Sequence, residues 1–462
     1  MNTTRRAFLG TTAAAAGFTI VQPHVLGGTR HIAPSDTVNI ALVGAGGQGR
    51  SNLHELFRLS DARVVAVVDP AEQWDLSAFY YRTSAGRKPV CAEIEKFYAG
   101  KSLAVKPAGY DDVRTLLDRE KNLDAVLCAT PDHLHAFVSI RAMQAGKAVY
   151  CEKPLTHNLA EVRRVAEVAR ETKVATQMGN QLHATEGMRQ TVEWLHAGAV
   201  GNVKEVHAWV GATRWNADLR GRPTEAQPVP PGLNWDLWLG PRAARPFNRA
   251  YAPVTWRDFW TFGSGSLGDC GCHDLDSATW ALDLGAPLRV EASAAGYTDA
   301  EVTPFGSVVH YHFGARGDQP PVSLHWYDGG LRPGLPDALP PGLTLPGRGA
   351  LFVGDKGVML SSTGVTPVLF PGELASGFKP PEKTLPRSKG HHRDWLDAIK
   401  GGPPAGSNFA YGARLTEIVL LGVAALRTGK TIEWDAANLK ARGLPAADAV
   451  IHESYRKGWE LG

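Results

Sequence analysis

The sequence predicts an α/β protein in which a domain built on a parallel sheet precedes an α/β domain with an open, mainly antiparallel sheet. Strand-like and helical patterns alternate from Val38 to Met178, as is typical of right-handed crossovers that place helices on both faces of a parallel sheet. From about Gly179 the alternation of strand-like and helical patterns ends, and the later short apolar runs indicate antiparallel strands. We therefore expect one domain over residues 36–178 and a second over residues 179–462.

Length and charge narrow the classes of partner. A chain of 462 residues is about three times the usual size of one domain, so two domains with buried cores are expected. The 49 basic and 46 acidic residues give a formal charge of +3 and form no long run of either sign. This balance argues against a nucleic-acid surface and favours a small-molecule partner. The five cysteines are too few and too scattered for a disulfide framework.

The first residues are typical of a targeting segment rather than of a folded element. Arg5 and Arg6 precede an Ala-rich apolar run from Leu9 to Val21, which is the pattern of a twin-arginine export signal, and we assign residues 1–33 to it. The run is short for a transmembrane helix, so no membrane span is expected in the mature chain. An uncleaved anchor stays open, because no clean cleavage site follows the run. The prediction is a periplasmic or otherwise exported protein.

The glycine motif that opens the mature chain predicts a dinucleotide site. It follows a predicted strand, Val38–Val43, and leads into a helical pattern with Leu53, Leu56 and Phe57 on one face. In a Rossmann-type domain the first glycine of Gly-x-Gly-x-x-Gly permits a tight turn, the second lets the backbone approach a pyrophosphate, and the third lets the helix pack on the strand. The predicted cofactor residues of this motif are Gly44, Gly46, Gly47, Gln48 and Gly49.

An acidic residue at the end of the second strand refines the cofactor prediction. Asp69 follows the apolar run from Arg63 to Val68 and lies 20 residues after Gly49, the spacing at which a carboxylate meets the hydroxyls of an adenine ribose. A carboxylate there would repel a ribose 2'-phosphate, so NAD is favoured as the cofactor. NADP stays open, because a nearby Arg can reverse that preference.

Two further strands are predicted to bring polar side chains to the same edge of the sheet. The strand Leu123–Ala129 ends in Thr130-Pro131, and the strand Ala148–Cys151 ends in Glu152-Lys153-Pro154. In open α/β sheets ligands bind at the carboxyl ends of the strands, so chemistry is expected there. The other elements predicted in this domain are helices that begin near Leu134 and Leu159 and a strand from Val174 to Met178.

The second domain is predicted to hold a long irregular segment, a polar helix and the open sheet. Residues Arg214 to Gly263 are rich in Trp, Pro and Arg with little periodicity, and such a segment is usually functional or an oligomer contact. A helix predicted to end at Gly285 carries four side chains on one face: Asp269, His273, Asp276 and Trp280. The remaining predicted elements are strands at Lys204–Gly211, Val290–Ala295, Val308–Phe313, Val322–Trp326 and Leu351–Val353, a surface loop at Arg332–Gly349, and helices at His391–Ile399 and Ala410–Arg427.

The order of these motifs resembles the glucose-fructose oxidoreductase and inositol dehydrogenase family (Gfo/Idh/MocA), in particular an exported bacterial group with a Trp-rich segment. The resemblance spans Val38 to Glu433. It implies an NAD(P)-dependent oxidoreductase that acts on CH-OH groups of sugars, cyclitols or their derivatives, and often a homo-oligomer. The motifs that carry it are the glycine motif, Thr130-Pro131 with His135, Glu152-Lys153-Pro154, Asp269-x-x-x-His273, and Gly390-His391-His392-x-Asp394-Trp395.

The resemblance also implies roles for single residues. Lys153 would lie near the nicotinamide and the reacting hydroxyl, where an ammonium would stabilise the developing alkoxide. His273 would act as general base, and Asp269 would bind a neighbouring hydroxyl or orient the imidazole. The further cofactor residues implied are Thr130, Pro131, His135, Glu152 and Lys153, and the candidate substrate contacts are His183, Trp256 and Arg257, for which a purely structural role stays open.

Alternative functions use the same residues. Cys270-Gly271-Cys272-His273 has no second ligand pair, so no metal site is predicted. Three functional classes stay open: an exported oxidoreductase whose bound cofactor is recycled by a second substrate, a redox-neutral NAD-dependent glycoside hydrolase or lyase, and a non-catalytic sugar-binding protein. Glycosidases that resemble this family commonly depart from Glu-Lys-Pro, so the intact Lys153 favours the oxidoreductase. The Trp-rich segment could stack on sugar rings or pack as an extended arm.

Overall fold

Two large sheets organise the protein. The computed structural model describes residues 36–362 and 364–462, and the predicted export signal, residues 1–33, lies outside them. The first sheet has six strands and the second has nine. The predicted α/β fold, with a parallel sheet followed by a mainly antiparallel one, is confirmed.

The first sheet is parallel throughout, with the strand order β5-β2-β1-β6-β7-β8. Residues of β6 and β7 are buried along the whole strand because helices cover both faces, which explains their continuous apolar sequences. The order also places the carboxyl ends of β2, β1, β6 and β7 side by side. The strands are β1 (Val38–Val43), β2 (Ala62–Val68), β5 (Ala108–Tyr110), β6 (Ala125–Cys128), β7 (Ala148–Cys151) and β8 (Thr176–Met178).

The helices around this sheet follow the predicted alternation. Helix α5 has a capping box, in which the Asn158 side chain accepts a hydrogen bond from the Glu161 amide and the Glu161 carboxylate accepts one from the backbone of Asn158. Its buried face includes Val162, Val165 and Val168, at helical spacing. The helices of this region are α1 (Gly47–Phe57), α2 (Arg87–Ala99), α3 (Val113–Arg119), α4 (Asp132–Gln144), α5 (Leu159–Thr172) and α6 (Glu186–His196), with a ribbon of β3 (Trp74–Asp75) and β4 (Ser84–Ala85) before α2.

The second sheet has the strand order β15-β14-β13-β9-β12-β11-β10-β16-β17. Every neighbouring pair is antiparallel except β9 and β12, which are parallel. Along β11 and β12 buried residues alternate with half-buried ones, so one face packs on the core and the other is partly open. The strands are β9 (Val203–Val210), β10 (Arg289–Ala295), β11 (Gly306–Phe313), β12 (Val322–Tyr327), β13 (Arg348–Gly354), β14 (Val358–Ser361), β15 (Val368–Phe370), β16 (Ile432–Asp435) and β17 (Lys440–Ala441).

The Trp-rich segment folds mainly around its own aromatic cluster. Trp235 and Trp238 stack with ring centroids 4.7 Å apart, and Phe259 and Phe262 are fully buried beside them. The segment contains one short helix, α7 (Trp235–Leu239), and a 3-10 turn at Thr255–Asp258. Much of it is therefore a layer packed around its own aromatic core rather than an extended arm.

The helix predicted to run to Gly285 is in fact two helices. Helix α8 (Gly265–Asp274) ends before Leu275, whose φ of −87° and ψ of −8° depart from helical values, and α9 (Asp276–Ala281) then begins. The predicted single face is therefore divided. Asp269 and His273 belong to α8, whereas Asp276 and Trp280 belong to α9 and point into a separate buried cluster with His183.

The last helices connect the two halves of the chain. On α11 (His391–Ile399), Trp395 and Leu396 are fully buried and complete the core beneath the parallel sheet. Helix α12 (Phe409–Thr428) is long and apolar enough to cross a membrane, with a mean hydropathy of 1.5, but 78% of its apolar window is buried inside the fold. The remaining helices are α10 (Gly372–Gly377) and α13 (Asp448–Ile451).

Candidate active site

A cavity of about 320 Å³ lies where the carboxyl ends of β1, β2, β6 and β7 face helix α8 and the Trp-rich segment. Both halves of the chain supply its walls, in agreement with the rule that open α/β sheets bind ligands at their carboxyl edge. The predicted site residues that line it are Gly44, Gly46, Gly47, Gln48, Asp69, Thr130, Pro131, His135, Glu152, Lys153, Trp256, Arg257, Asp269 and His273. Two predicted residues, Gly49 and His183, do not line it.

The glycine loop has the geometry that each glycine was predicted to need. Gly44 has φ of +91°, and a Cβ there would lie 2.5 Å from the carbonyl of Ala129. A Cβ on Gly49 would lie 2.0 Å from the carbonyl oxygen of Gly44, so this glycine permits close packing of α1 on the loop. At Gly46 a Cβ would meet nothing within 4 Å, which leaves room for a ligand beside the backbone. At Gly47 the ring of Tyr81 lies only 2.3 Å from the Cβ position.

Asp69 lies at the end of β2, facing the glycine loop. Its carboxylate accepts hydrogen bonds from the amides of Ala45 and Ala71, both at 2.8 Å. Burial raises the pKa of Asp69 from 3.8 to about 6, although the two amides and nearby Arg87 oppose the shift. Arg87 donates to the carbonyl oxygen of Asp69 at 3.0 Å and also pairs with Glu72 at 3.3 Å. The Arg that could reverse the preference for NAD is thus present, but it is already paired.

Glu152 is a buried hydrogen-bond acceptor, and only one of its two carboxylate oxygens has partners among the described residues. Its Oε1 accepts hydrogen bonds from Asn52 and Gln181, both at 2.9 Å, and from Gln48 at 3.3 Å. Its Oε2 is buried and has no hydrogen-bond partner in the described part of the chain. Burial raises the pKa of Glu152, while Lys153 and the amide donors lower it. An unpartnered buried acceptor in a cavity wall is a ready partner for an amide or hydroxyl donor of a ligand.

His135 holds two loops of the site together. Its Nδ1 lies 2.7 Å from the carbonyl oxygen of Pro154, and its Nε2 lies 2.9 Å from that of Thr130. Both contacts need a ring N–H, and the pKa of His135 is raised: burial opposes the shift, but Cys128, Asp132 and the two carbonyls outweigh it. His135 lines the cavity, yet its polar atoms are engaged in fixing the Thr130 and Pro154 loops.

Lys153, Asp269 and Arg257 form an ion-pair network across the cavity. The Nζ of Lys153 lies 2.8 Å from Oδ1 of Asp269 and also donates to the Asp269 carbonyl. Nε of Arg257 donates to the same Oδ1 at 3.2 Å, and its guanidinium lies over the Trp256 ring at 4.2 Å. Burial opposes ionisation of each partner, but their mutual attraction raises the pKa of Lys153 and lowers that of Asp269. Lys153 is therefore an ammonium and Asp269 a carboxylate at neutral pH.

Asp269 does not orient His273, which corrects one of its two predicted roles. No hydrogen bond joins the two side chains among the described residues, and Oδ1 of Asp269 accepts hydrogen bonds from Lys153 and Arg257 instead. The Oδ2 atom accepts no hydrogen bond from any residue in 36–362 or 364–462, and the side chain is 32% exposed, so it can accept one from a ligand hydroxyl. The other predicted role, binding a neighbouring hydroxyl, remains available to it.

His273 presents a neutral imidazole to the cavity. Burial and the nearby cations Lys153 and Arg348 lower its pKa well below 6.5, while Asp269 opposes the shift. Its Nδ1 is buried without a partner in the described part of the chain. A neutral imidazole can accept a proton, and His273 lines the cavity, so the arrangement permits the predicted role of general base.

His183 is not brought to the cavity, which corrects its predicted substrate contact. It is 3% exposed, its Nδ1 lies 3.0 Å from a carboxylate oxygen of Asp276, and its ring stacks on Trp280. Tyr411 and Asn180 donate to the same carboxylate. The residue is part of a buried polar cluster that joins the first half of the chain to α9, which favours the structural role that the sequence left open.

Several cavity residues were missed by sequence reasoning. Tyr80 and Tyr81 lie in the loop between β3 and β4, where no periodic pattern marks them, and Tyr80 stacks on Trp215 at 5.8 Å between ring centroids. Both outer rings are accessible, Tyr80 at 64% and Trp215 at 39%. The only available signal was the density of Trp in the irregular segment. Trp215 and Trp238 belong to the Trp-rich segment already considered for sugar stacking, and the missed lining residues with aromatic, charged or amide side chains are Trp74, Tyr80, Tyr81, Asp132, Gln181 and Arg348.

Comparison with known families agrees with this arrangement of sheet, loop and cavity. The model of an oxidoreductase family with an NAD-binding Rossmann fold (Gfo/Idh/MocA) matches residues 38–180, and that of the family's C-terminal α/β domain matches residues 196–316. The chain belongs to the Gfo/Idh/MocA family. The parallel-sheet half of this Gfo/Idh/MocA protein is thus an NAD-binding domain, and the glycine loop and Asp69 lie where such a domain needs them.

Curated relatives are similar over part of the Gfo/Idh/MocA chain. An inositol 2-dehydrogenase from Rhizobium meliloti is 29% identical over 272 residues, which cover 58% of this chain and 62% of that protein. A levoglucosan dehydrogenase from Pseudarthrobacter phenanthrenivorans is 25% identical over 170 residues, 37% of this chain and 35% of that one. A 2,7-anhydro-N-acetylneuraminate hydratase from Mediterraneibacter gnavus is 26% identical over 172 residues, 37% of this chain and 39% of that one. The chain therefore spans less than two thirds of the length of each relative.

A solved structure shares most of the fold at low identity. The WlbA dehydrogenase from Bordetella pertussis, determined with NADH and UDP-GlcNAcA, covers 86% of this chain and 99% of its own, with a TM-score of 0.57 and 16% identity. At that identity the likeness supports the fold alone. It extends over both sheets, which the two family models cover only in part.

Proposed function

We propose that this protein is an exported NAD(P)-dependent oxidoreductase that transfers hydride between a sugar or sugar derivative and a nicotinamide cofactor that stays bound. One observation carries the proposal: Lys153, Asp269 and His273 converge with the glycine loop on a single cavity. A cation, a carboxylate with a free oxygen and a neutral imidazole are thereby held beside a dinucleotide cradle.

The residues present fit a nicotinamide dinucleotide. The backbone at Gly46, which has open space beside it at the start of α1, would hold the pyrophosphate, and Asp69 would accept hydrogen bonds from ribose hydroxyls. The unpartnered Oε2 of Glu152 is an acceptor for an amide group further along the cavity. When bound, the nicotinamide supplies the hydride acceptor or donor.

Lys153 would act by charge rather than as a base. Its raised pKa keeps it an ammonium, so it cannot take a proton from an alcohol at neutral pH. An ammonium beside a substrate hydroxyl lowers the pKa of that hydroxyl and stabilises the alkoxide that develops as the carbon is oxidised. The ion pair with Asp269 fixes its position, because Nζ donates to both the carboxylate and the carbonyl of that residue.

His273 would accept the proton of the reacting hydroxyl, and Asp269 would bind a neighbouring hydroxyl. The imidazole of His273 is neutral and can accept the hydroxyl proton; its lowered pKa makes it a weak base, but the acidifying effect of Lys153 on the hydroxyl compensates for this. The free Oδ2 of Asp269 would accept a hydrogen bond from a neighbouring hydroxyl. The two residues would thereby engage two hydroxyls, as expected for a polyhydroxylated ring.

The aromatic walls support a sugar-like substrate. Trp256 carries the Arg257 guanidinium on one face, and the stacked rings of Tyr80 and Trp215 lie at the accessible side of the cavity. Flat apolar rings beside charged groups suit the mixed surface of a sugar. The relatives named for inositol, levoglucosan and an anhydro-neuraminate also act on polyhydroxylated rings, which supports the same substrate class.

Export makes a bound cofactor necessary in this proposal. Free NAD is scarce outside the cytoplasm, so the nucleotide would be carried through export and recycled by a second substrate in alternating half-reactions. The support is the twin-arginine pattern at Arg5-Arg6. We also expect the mature protein to be a homo-oligomer, a property that light scattering of the purified protein would test.

The proposal is tested by denaturing the purified protein and measuring the mass and absorbance of any nucleotide it releases. About one NAD(H) per chain is expected. The same protein is then given a panel of sugars while the reduced-nicotinamide absorbance is followed. Reduction of the bound cofactor by at least one sugar, and its reoxidation by an aldose or ketose, supports the proposal. Release of no nucleotide, together with no absorbance change after NAD or NADP is added, contradicts it.

A redox-neutral hydrolase or lyase is the second candidate. It is favoured by one observation, the similarity to a hydratase that covers 37% of this chain. Such an enzyme would cleave or hydrate its substrate with no net change in the cofactor. Aryl glycosides distinguish the two: release of the aglycone at constant nicotinamide absorbance indicates the second candidate, whereas reduction without bond cleavage indicates the first.

A further inference from the structure

Three histidines form a row across neighbouring strands of the second sheet. His325 on β12 is the register partner of His207 on β9, and His310 on β11 is the register partner of His325. Residues that are directly opposite in a sheet project from the same face, so all three imidazoles share one face. That face is the partly open one, because His207 and His325 side chains keep 12% and 13% of their surface exposed.

A carboxylate completes the cluster. Glu205 lies two residues before His207 on β9, and alternate residues of a strand project from the same face. Its Oε1 lies 2.9 Å from Nε2 of His325 and 3.4 Å from Nε2 of His207. One ligand atom from each of the three residues lies within 4.8 Å of the other two. In a tetrahedral zinc site with bonds of about 2.1 Å, neighbouring ligand atoms are about 3.4 Å apart, so only small side-chain shifts are needed.

We propose that Glu205, His207 and His325 bind a divalent transition-metal ion of the zinc type. The site is separate from the proposed oxidoreductase function, since none of the three residues lines the candidate active site. Three protein ligands leave the fourth tetrahedral position open to water. The half-exposed Glu205, with 43% of its side chain accessible, leaves a path for the ion to enter.

The second ring nitrogens of His207 and His325 also have hydrogen-bonding partners. Nδ1 of His207 lies 3.1 Å from Oη of Tyr327, and Nδ1 of His325 lies 2.5 Å from Nδ1 of His310. When each Nδ1–H donates to that partner, each Nε2 keeps a lone pair for an ion bound beside Glu205. Histidine ligands of metals are commonly held in this way, and the outer partners contribute measurably to affinity.

A second cluster of potential ligands lacks this property. Cys128, His135 and Cys151 also have ligand atoms within 4.8 Å of one another. However, both ring nitrogens of His135 face backbone carbonyl oxygens, at 2.7 and 2.9 Å, so neither offers a lone pair to a metal. The sheet cluster is therefore the one that the geometry favours.

The site is tested by titrating the full-length protein with Zn²⁺ in a calorimeter at neutral pH, after chelator treatment and without any histidine tag. Wild type should bind about one Zn²⁺ per chain. His207→Ala and His325→Ala should each weaken binding by about a hundredfold or more, and His310→Ala by about tenfold, the usual scale for an outer partner. Glu205→Gln, at an accessible side chain, provides a second test if a histidine variant fails to fold.

His312→Ala is the matched control. His312 also lies on β11 and on the same face, but its Nδ1 faces Ser323 at 3.4 Å, outside the three-residue cluster. This variant should bind Zn²⁺ within about twofold of wild type, and Co²⁺ in place of Zn²⁺ should give a tetrahedral absorption spectrum that His207→Ala loses. Three results would each overturn the proposal: no saturable binding by wild type, unchanged affinity in folded His207→Ala or Glu205→Gln, or equal losses in His312→Ala and His207→Ala.

Discussion

Nζ of Lys153 lies 2.8 Å from Oδ1 of Asp269, so one ion pair joins the carboxyl edge of the parallel sheet to helix α8. The two residues are 116 positions apart in the chain. The pair forms only when both halves are docked, which means that the proposed chemistry depends on the whole fold rather than on one domain.

Replacing Lys153 should remove catalysis but not nucleotide binding. If the ammonium acts mainly on the developing alkoxide, Lys153→Ala should lower kcat by about a hundredfold or more. Steady-state rates on any accepted sugar, with the nucleotide content of the same preparation, check this. Lys430→Ala, at an exposed position on the surface, is the control and should behave as wild type. Turnover at the wild-type rate in Lys153→Ala would exclude the mechanism.

Replacing His273 should change the pH profile as well as the rate. A general base must be neutral to act, so activity should fall as the pH drops through its pKa, which lies well below 6.5. His273→Ala should lower kcat by about a hundredfold and abolish this acidic limb of kcat/KM, while the exposed His452→Ala should retain it. An acidic limb that persists in His273→Ala would assign the base to another group.

Asp69 should control both cofactor choice and its pH dependence. Wild type is expected to bind NAD more tightly than NADP. Asp69→Asn should reduce the ratio of the Kd for NADP to the Kd for NAD by about tenfold or more, because a charged acceptor is lost. Titrations of nucleotide-free protein measure this. A wild type that prefers NADP would refute the assignment of Asp69 to the ribose.

The raised pKa of Asp69 gives opposite trends for stability and binding. The folded state holds the proton more tightly than the unfolded chain, since the pKa rises from 3.8 to about 6. Its contribution to the free energy of unfolding is therefore greatest below about pH 4 and is lost as the pH rises through about 6. Ribose binding needs the carboxylate, so NAD affinity should increase between about pH 5 and about pH 7, and Asp69→Asn should flatten that increase.

The local features of the site were predictable from sequence because they depend on short-range geometry. The glycine loop, Asp69 and the Glu-Lys-Pro turn each follow a strand, and their spacing alone indicates the carboxyl edge of a sheet. The sequence left two roles open for His183 and two for Asp269, and it could not choose between them for a different reason. The choice depends on α9 turning at Leu275 and on Arg257 reaching Oδ1 of Asp269, and neither is visible in a periodic pattern.

The proposed metal cluster shows the same limit more clearly. Glu205 and His207 have the alternate spacing of one strand face, but His325 lies 118 positions after His207. Only the parallel pairing of β9 with β12 brings His325 opposite His207, and the register of that pair is not encoded in either strand alone. A search of the sequence for local metal motifs such as Cys270-Gly271-Cys272-His273 therefore does not find this cluster.

The export signal is tested by changing its two arginines together. In a bacterial host with a twin-arginine system, Arg5→Lys with Arg6→Lys should leave the folded protein in the cytoplasm with its nucleotide bound. Cell fractionation followed by immunoblotting measures the distribution. The unchanged signal should give protein outside the cytoplasm. If the variant and the unchanged protein are distributed equally between the cell fractions, the segment is not a twin-arginine export signal.

Two glycines of one loop should separate cofactor binding from folding. A Cβ on Gly46 would meet nothing within 4 Å, whereas a Cβ on Gly49 would lie 2.0 Å from the carbonyl oxygen of Gly44. Gly46→Ala should therefore leave the Tm nearly unchanged but weaken NAD binding by about tenfold or more, because the methyl group fills the space for the pyrophosphate. Gly49→Ala should lower the free energy of unfolding by about 2 kcal/mol, the usual cost of overpacking, because α1 can no longer pack closely on the loop.

Thermal unfolding of the nucleotide-free variants, with NAD titrations, measures both effects. Removing the nucleotide first matters, because bound ligand raises the apparent stability of the folded state and would hide the difference between the two variants. The two variants should rank differently in the two measurements. Gly49→Ala should have the lower Tm, and Gly46→Ala should lose more NAD affinity per folded molecule. A Gly46→Ala variant that binds NAD as tightly as wild type would mean that the pyrophosphate does not lie against this loop, and the cofactor orientation proposed for the cavity would be wrong.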